Sequence, residues 1–501
     1  MSKTKAPVSG GSDRLSGRNL WSFSLGGIGR DAICQLFNTY LLTATLLTKQ
    51  LTTAQFALIG IIITVSRIFD GLIDPFIGAM IEATHTRWGK FKPWIFFGAI
   101  SNAVVVFLMF WMPLTGMEFV IFFAIAQIFL SITFSANDIS YWSMVPALTS
   151  YSADRDKLAS AANVCATLGN GLTIMLVPMF TSGSMAIGGS AVTAYPAMAA
   201  IIGVAFVLCT TLTVLGVKEK PLPAARPSQE KPKVFQQILT VMKNNDQLRW
   251  AFLIAIIHNT GSIILGGFST WYVYFRFGYE GVMVSLFGII TGAAGAILMV
   301  YPLLAKKFTR KTISKIALGL ICLGYGLMLI IGLATRTGGS SVFYPLAFCG
   351  IFYAAGQAFF YQVLTITIAN TVEYNEWKTG KREESIIFSL RPLASQLGAS
   401  FQMGIVTLVL SVLGVANITS KISEQENLVS LGLLSAEEKL TNIAGIIAQV
   451  PDSVTTWLLI CMTVLPIAVM TTAIVLYWKK SKLDEVTYAR MCEEIRARKS
   501  N

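Results

Sequence analysis

Apolar runs of about twenty residues recur along this chain from residue 20 to residue 478, and no other feature restricts its fold so severely. A run of that length crosses the hydrocarbon core of a bilayer as a helix. In lipid every backbone N–H and C=O must find its partner inside the segment, so the runs are read as helices. Twelve are expected, at 20–47, 55–83, 92–113, 117–149, 158–182, 193–216, 247–275, 281–304, 312–333, 342–373, 384–414 and 454–478. Composition agrees: 54% of the 501 residues are hydrophobic and 13% are charged, against about 25% charged in soluble domains. Residues 1–19 are polar, without an apolar core or cleavage signature, and read as a cytoplasmic tail.

The lysines and arginines orient the spans. With both termini inside, 31 of the 39 fall in inner segments and 5 in outer loops, while Arg30, Arg67 and Arg391 lie within spans. That asymmetry is how membrane proteins distribute positive charge, so the net charge of +13 gives no reason to expect nucleic acid. The seven cysteines are scattered without paired spacing, which implies neither disulfides nor a metal site. No P-loop is present, and two histidines with no nucleophile–base constellation argue against an enzyme.

The basic, proline-rich stretch 217–246 divides the spans into halves of six: a bundle over 20–216, a second over 247–478, and a tail over 479–501. The halves echo each other, "THTRWGKFKPW" against "AKKFTRKTISK" and "NDISYWSMVP" against "NTVEYNEWKTG". This describes an all-α membrane protein of twelve transmembrane helices in two six-helix bundles, the architecture of a secondary transporter. The connection between spans eleven and twelve, about forty residues long, is expected to hold a short amphipathic helix outside the membrane.

Ionisable residues inside spans mark function by default. Four aspartates qualify, Asp31, Asp70, Asp74 and Asp138, all in the first half. Asp70 and Asp74 are four apart and share a helix face. Either a cation sits between them, or one holds a proton, or they form fixed salt bridges with Arg67, Arg30 or Arg391. Ser135, Asp138 and Trp142 follow an i, i+3, i+7 pattern on one face. An acid beside an indole suits a sugar, whose hydroxyls bond the carboxylate while its apolar face stacks. An interfacial anchor is the alternative for Trp142. Asp31 reads as a substrate-bonding acid or as the buried partner of an arginine. His258 reads as a packing residue.

At "RIFDGLIDPFIGAMIEATHTRWGKFKPW" the pattern becomes specific. With "GIGRDAI", "NDISYWSMVP", "KNNDQL" and "NTVEYNEWKTGKREESI", it resembles the glycoside–pentoside–hexuronide:cation symporters, the melibiose permease-like branch of the major facilitator superfamily, over nearly the whole chain. The resemblance implies the major facilitator fold. It implies a cation-coupling role for Asp70, Asp74 and Ser135, and sugar binding by Arg30, Asp31, Asp138 and Trp142. It also implies two cytoplasmic gating segments, one carrying Arg87, Lys90 and Lys92 and one carrying Glu373, Glu376 and Arg382. Three positions depart from the family pattern. Ile73 replaces an asparagine ligand, which favours H⁺ over Na⁺ as the coupling ion. Asn163 and Gln396 stand where an arginine and a lysine line the sugar site, which favours an uncharged glycoside over a uronide.

The expectation is therefore a monomeric, multi-pass carrier in the cell inner or plasma membrane, with both termini cytoplasmic and no cofactor. It would import a small glycoside or oligosaccharide by alternating access, coupled to a cation. The alternatives are a same-fold carrier of a lipid or other non-sugar solute and a non-transporting membrane receptor or scaffold.

Overall fold

Several crossings begin where a polar side chain caps the free N–H groups of a first turn. The computed structural model describes residues 15–149, 151–218, 234–293, 297, 301–335, 340–381 and 383–500. The Ser16 hydroxyl caps α1 (Gly17–Gln35), which continues through a π-helical turn, Leu36–Tyr40, into α2 (Leu41–Thr48). Thr52 and Gln55 form a reciprocal capping box at the start of α3 (Thr53–Glu82). The first half continues through α4 (Lys92–Trp111), α5 (Gly116–Leu148), α6 (Ser152–Thr181) and α7 (Ala191–Gly216).

A short helix, α8 (Val234–Asn244), lies in the central connection; the rest of that stretch, 219–233, is outside the described residues. The second half runs α9 (Asp246–Phe277), α10 (Gly281–Ala293), α11 (Tyr301–Lys307), α12 (Arg310–Ala334), α13 (Phe343–Thr379) and α14 (Glu384–Val412). The segment expected to hold one short helix holds two, α15 (Val415–Ser430) and α16 (Ala436–Ala448), each opened by its own polar or glycine start. Then come α17 (Asp452–Lys480) and α18 (Glu485–Ser500).

Among the described residues ten helices are long and apolar enough to span a bilayer. The other two expected spans coincide with interrupted segments: α1, the π turn and α2 for the first, and α10 with α11 for the eighth. Large apolar side chains such as Ile121, Ile125 and Phe129 are exposed on α5 while Phe119 and Phe123 are buried, the pattern of a helix solvated by lipid.

Within the first half α1 packs on α6 and α7, and α4 on α5 and α7; within the second, α9 packs on α14 and α17, and α12 on α13. Small residues allow the closest approaches. A Cβ on Gly169 would lie 2.1 Å from the carbonyl oxygen of Ile28, so α1 and α6 meet backbone to backbone. The halves meet along α3 with α14 and α6 with α10. There a Cβ on Gly281 would sit 1.7 Å from the Pro178 carbonyl, and one on Gly60 would sit 2.3 Å from Thr407. Tyr274 donates to Ser182 at 2.7 Å and Ser285 to the Met175 carbonyl at 2.7 Å. These contacts lie at the helix ends remote from the two termini, so the halves are sealed on that face.

On the terminal face α18 docks against α12 and α13. Glu485 accepts from the Arg310 amide at 2.7 Å, Trp377 donates to Glu494 at 2.7 Å, and Arg498 donates to the Trp377 carbonyl at 2.8 Å. Gly169→Ala should drive α1 and α6 apart at a cost of about 1–3 kcal/mol. A lower midpoint of thermal unfolding in detergent is the expected reading.

Candidate functional site

Charge inside the membrane must be matched, and on α1 and α5 it is. Arg30 is 6% exposed. Its Nη2 lies 2.5 Å from Asp31 Oδ2, and its Nη1 donates to Asp138 Oδ1 at 2.7 Å. The guanidinium also lies over the rings of Tyr141, at 4.7 Å, and Trp142, at 4.9 Å. The planar fork therefore bonds two carboxylates along its edges while its faces meet aromatic rings, a set of contacts an ammonium group could not make. Tyr141 in turn donates to the Phe23 carbonyl at 2.8 Å, which ties α5 back to α1.

Asp70 and Asp74 on α3 are treated differently. Neither takes part in an ion pair among the described residues, and Oδ1 of each is buried without a hydrogen-bond partner. Arg67, a candidate partner for Asp70, donates instead to Asn38 on the π turn of the first crossing. Ser131 lies against Asp70, and Ser135 and Gln396 lie against Asp74. Gln396 belongs to α14, so this acid stands where the two halves meet.

Both acids line one cavity of about 570 Å³, its open mouth included, between the π turn of the first crossing, α3, α5 and α14. Its polar wall carries Asn38, Arg67, Gln127, Ser131, Ser135, Asp138 and Gln396; Phe37 and Phe134 supply an edge-to-face aromatic pair, ring centres 5.1 Å apart. Thus Asp70, Asp74, Ser135, Asp138 and Gln396 come together as the sequence suggests, with Arg30 and Asp31 directly behind Asp138. Trp142 does not line the cavity: it is half-buried behind Arg30, with Tyr141 edge-on at 5.5 Å. Asn163 does not line it either and lies exposed on α6. Ile73 is half-buried and packs on an apolar cluster with Ile77 and Tyr141.

Gln127 and Ser131 were missed by sequence reasoning. They precede Ser135 at intervals of four, and that spacing puts all three on one face of α5. Phe37 carries no such signal, whereas Asn38 follows Asp31 and Gln35 at helical spacing on the first crossing.

Of the gating candidates, Arg87 is exposed, Lys90 lies 4.0 Å from Glu82, and Lys92 donates to the Val217 carbonyl at 2.7 Å. Glu376 is buried and Glu373 half-buried on α13; Arg382 is outside the described residues. Beside them, Asp246 accepts from Lys378 and Tyr374, each at 2.8 Å.

Residues 22–485 match the family described as MFS/sugar transport protein. The raffinose carrier protein of Pediococcus pentosaceus is 28% identical over 417 residues, covering 80% of this chain and 63% of that protein. A lactose permease of Lactobacillus delbrueckii subsp. bulgaricus is 29% identical over 412 residues, covering 79% and 63%. The chain thus spans less than two thirds of the length of either relative. The isoprimeverose transporter of Lactiplantibacillus pentosus is 30% identical over 374 residues, covering 72% and 74%.

Among solved structures, the D-xylose-proton symporter superposes with a TM-score of 0.56 at 15% identity, over 81% of this chain and 97% of the other. An inward-facing bacterial homolog of the human lysosomal transporter Spinster gives 0.58 at 13% identity, over 92% and 97%. At such identity the likeness shows the fold, which is the major facilitator fold.

Removing Arg30 should leave two acids facing each other in a buried site. Arg30→Ala is expected to cost about 3–5 kcal/mol of stability, the loss typical of breaking a buried charge cluster from one side. Asp138→Asn, which keeps a hydrogen-bond acceptor for Arg30, should cost less in the same thermal unfolding measurement.

Proposed function

This chain belongs to the MFS/sugar transport protein family, within the glycoside–pentoside–hexuronide symporters, and from that premise we propose that it is a symporter that takes up an uncharged glycoside together with H⁺. The family and these relatives are transporters and not enzymes. The same reading has the protein in the cell membrane with both termini in the cytoplasm.

One observation carries the coupling: Asp70 and Asp74 face the cavity with buried, unpartnered oxygens, while the other two intramembrane acids are held by Arg30. Two carboxylates this close in a poorly hydrated cavity do not both stay charged and unmatched. Ile73 offers no oxygen between them, so a proton on one acid is the simplest way to match the site. Gln396 from the second half then meets a neutral acid or a charged one according to occupancy.

The sugar reading rests on the wall of the same cavity. Arg30 takes one oxygen of Asp138 and leaves the other for a hydroxyl. Gln127, Asn38 and the serines add neutral donors and acceptors, and the Phe37–Phe134 pair offers an apolar face. Relatives named for raffinose, lactose and isoprimeverose support an uncharged saccharide. A wall this polar is a poor match for a lipid chain.

A membrane potential of 100 mV supplies about 2.3 kcal/mol per charge moved, or nearly fifty-fold accumulation. In proteoliposomes, uptake of a glycoside should follow an imposed pH gradient without sodium; a sodium requirement refutes the proton assignment. Asp74→Asn should abolish accumulation while exchange of labelled for unlabelled sugar persists. Asp138→Ala should lose sugar binding altogether, measured by calorimetry, and unchanged affinity would remove it from the site.

A further inference from the structure

The helical pair α15–α16 belongs to the second half of the chain, yet two of its fully buried side chains hold the first half. Glu426 and Lys439 are both fully buried, with Lys439 Nζ 3.3 Å from Glu426 Oε2. Each also crosses to the connection between α6 and α7. Glu426 Oε2 accepts from the Ala191 amide at 2.6 Å, at the N-terminus of α7, where a carboxylate is favoured. Lys439 donates to the Gly189 carbonyl at 2.6 Å, and Ser190 donates to the Glu426 carbonyl at 2.6 Å. Acid and base thus grip one three-residue stretch from both sides. Two lighter contacts reach further: Asn427 donates to the Thr48 carbonyl at 3.3 Å, and Thr53 pairs with Asn417 at 3.2 Å.

The end of α2, the start of α3 and the start of α7 are the tips of the first half on the face remote from the termini, and this helical pair touches all three. We propose that α15–α16 is a latch on that face, with Glu426 and Lys439 as its bolt. It closes the cavity toward that side and releases Gly189–Ala191 each time the cavity opens there. The inference rests on the transport reading only in requiring the two halves to separate.

The charges explain why such a latch has two states. While seated, each is met by its opposite and by a backbone group of the other half. Once withdrawn, both can be hydrated, so the pair has no partly opened arrangement that satisfies it. The contacts that differ between states bias the equilibrium, and this cluster exists only in the closed one.

Thiol accessibility tests this without sugar, cation or knowledge of orientation. Thr407, buried against Gly60 across the sealed face, is replaced in Thr407→Cys, and a polar maleimide is applied to the full chain in detergent, where both faces meet the reagent. Labelling of the protein with Thr407 intact is subtracted. The exchange Glu426→Lys with Lys439→Glu keeps the ion pair but reverses both bonds to the first half. It is expected to raise the labelling rate by about tenfold or more, a shift of population toward the open face. A parental rate would mean that the pair only braces α15 against α16, and the latch would be refuted.

Should the exchanged protein fail to fold, Ser190→Ala decides. It leaves both charges in place and should raise labelling by about two- to threefold; an unchanged rate overturns the proposal. Because sugar uptake plays no part in this readout, a wrong substrate or coupling ion leaves the result intact.

Discussion

Everything the cavity offers depends on one guanidinium bonded to two carboxylates. Asp31 and Asp138 could not remain in an apolar bundle alone, and Arg30 could not be 6% exposed there without them. The cluster also fixes geometry. Arg30 and Asp31 come from α1, Asp138 from α5, and the rings of Tyr141 and Trp142 cover the guanidinium faces. The register of α5 against α1 is thereby set, and with it the direction in which Gln127, Ser131 and Ser135 point.

Against that background the state of Asp70 and Asp74 becomes informative. A chain able to build a matched buried cluster on α1 and α5, beside the same cavity, has left two acids of α3 without ion partners. Arg67 is near enough to matter electrostatically but spends its hydrogen bond on Asn38. Such a pair is costly if static. It is useful if its charge changes during the working cycle, because the cost is then incurred in one state and relieved in another.

Most of this was readable in the sequence, for reasons that differ by residue. Helices of spanning length follow from apolar runs and the demand for internal hydrogen bonding, so their places were legible. The face of α5 was legible too, since Gln127, Ser131, Ser135 and Asp138 recur at helical spacing, although only the last two were read. Trp142 shows how far pattern alone reaches. Its spacing puts it on the right side of the helix, but whether a ring meets substrate or backs an arginine depends on the neighbouring helix. For Asn163 likewise, position along α6 does not fix distance from α3. The π turn at Leu36–Tyr40, and the division of the last long connection into two helices where one was expected, are details that one-dimensional periodicity does not record.

The two halves touch at two depths, and the contacts differ in kind. At the cavity, Gln396 lies against Asp74, a neutral amide beside an acid without an ion partner. On the remote face, Glu426 and Lys439 hold backbone groups of the first half with charges that stay matched while seated. On the proposed reading, the first contact responds to what is bound, and the second resists opening regardless of what is bound. On the proposed reading, a carrier needs both. If the responsive contact stood alone, a half-loaded site would open as readily as a full one. The fixed contact sets a threshold that only a favourable change at the cavity overcomes, and the difference between those two energies determines whether movement of the ion is tied to movement of the sugar.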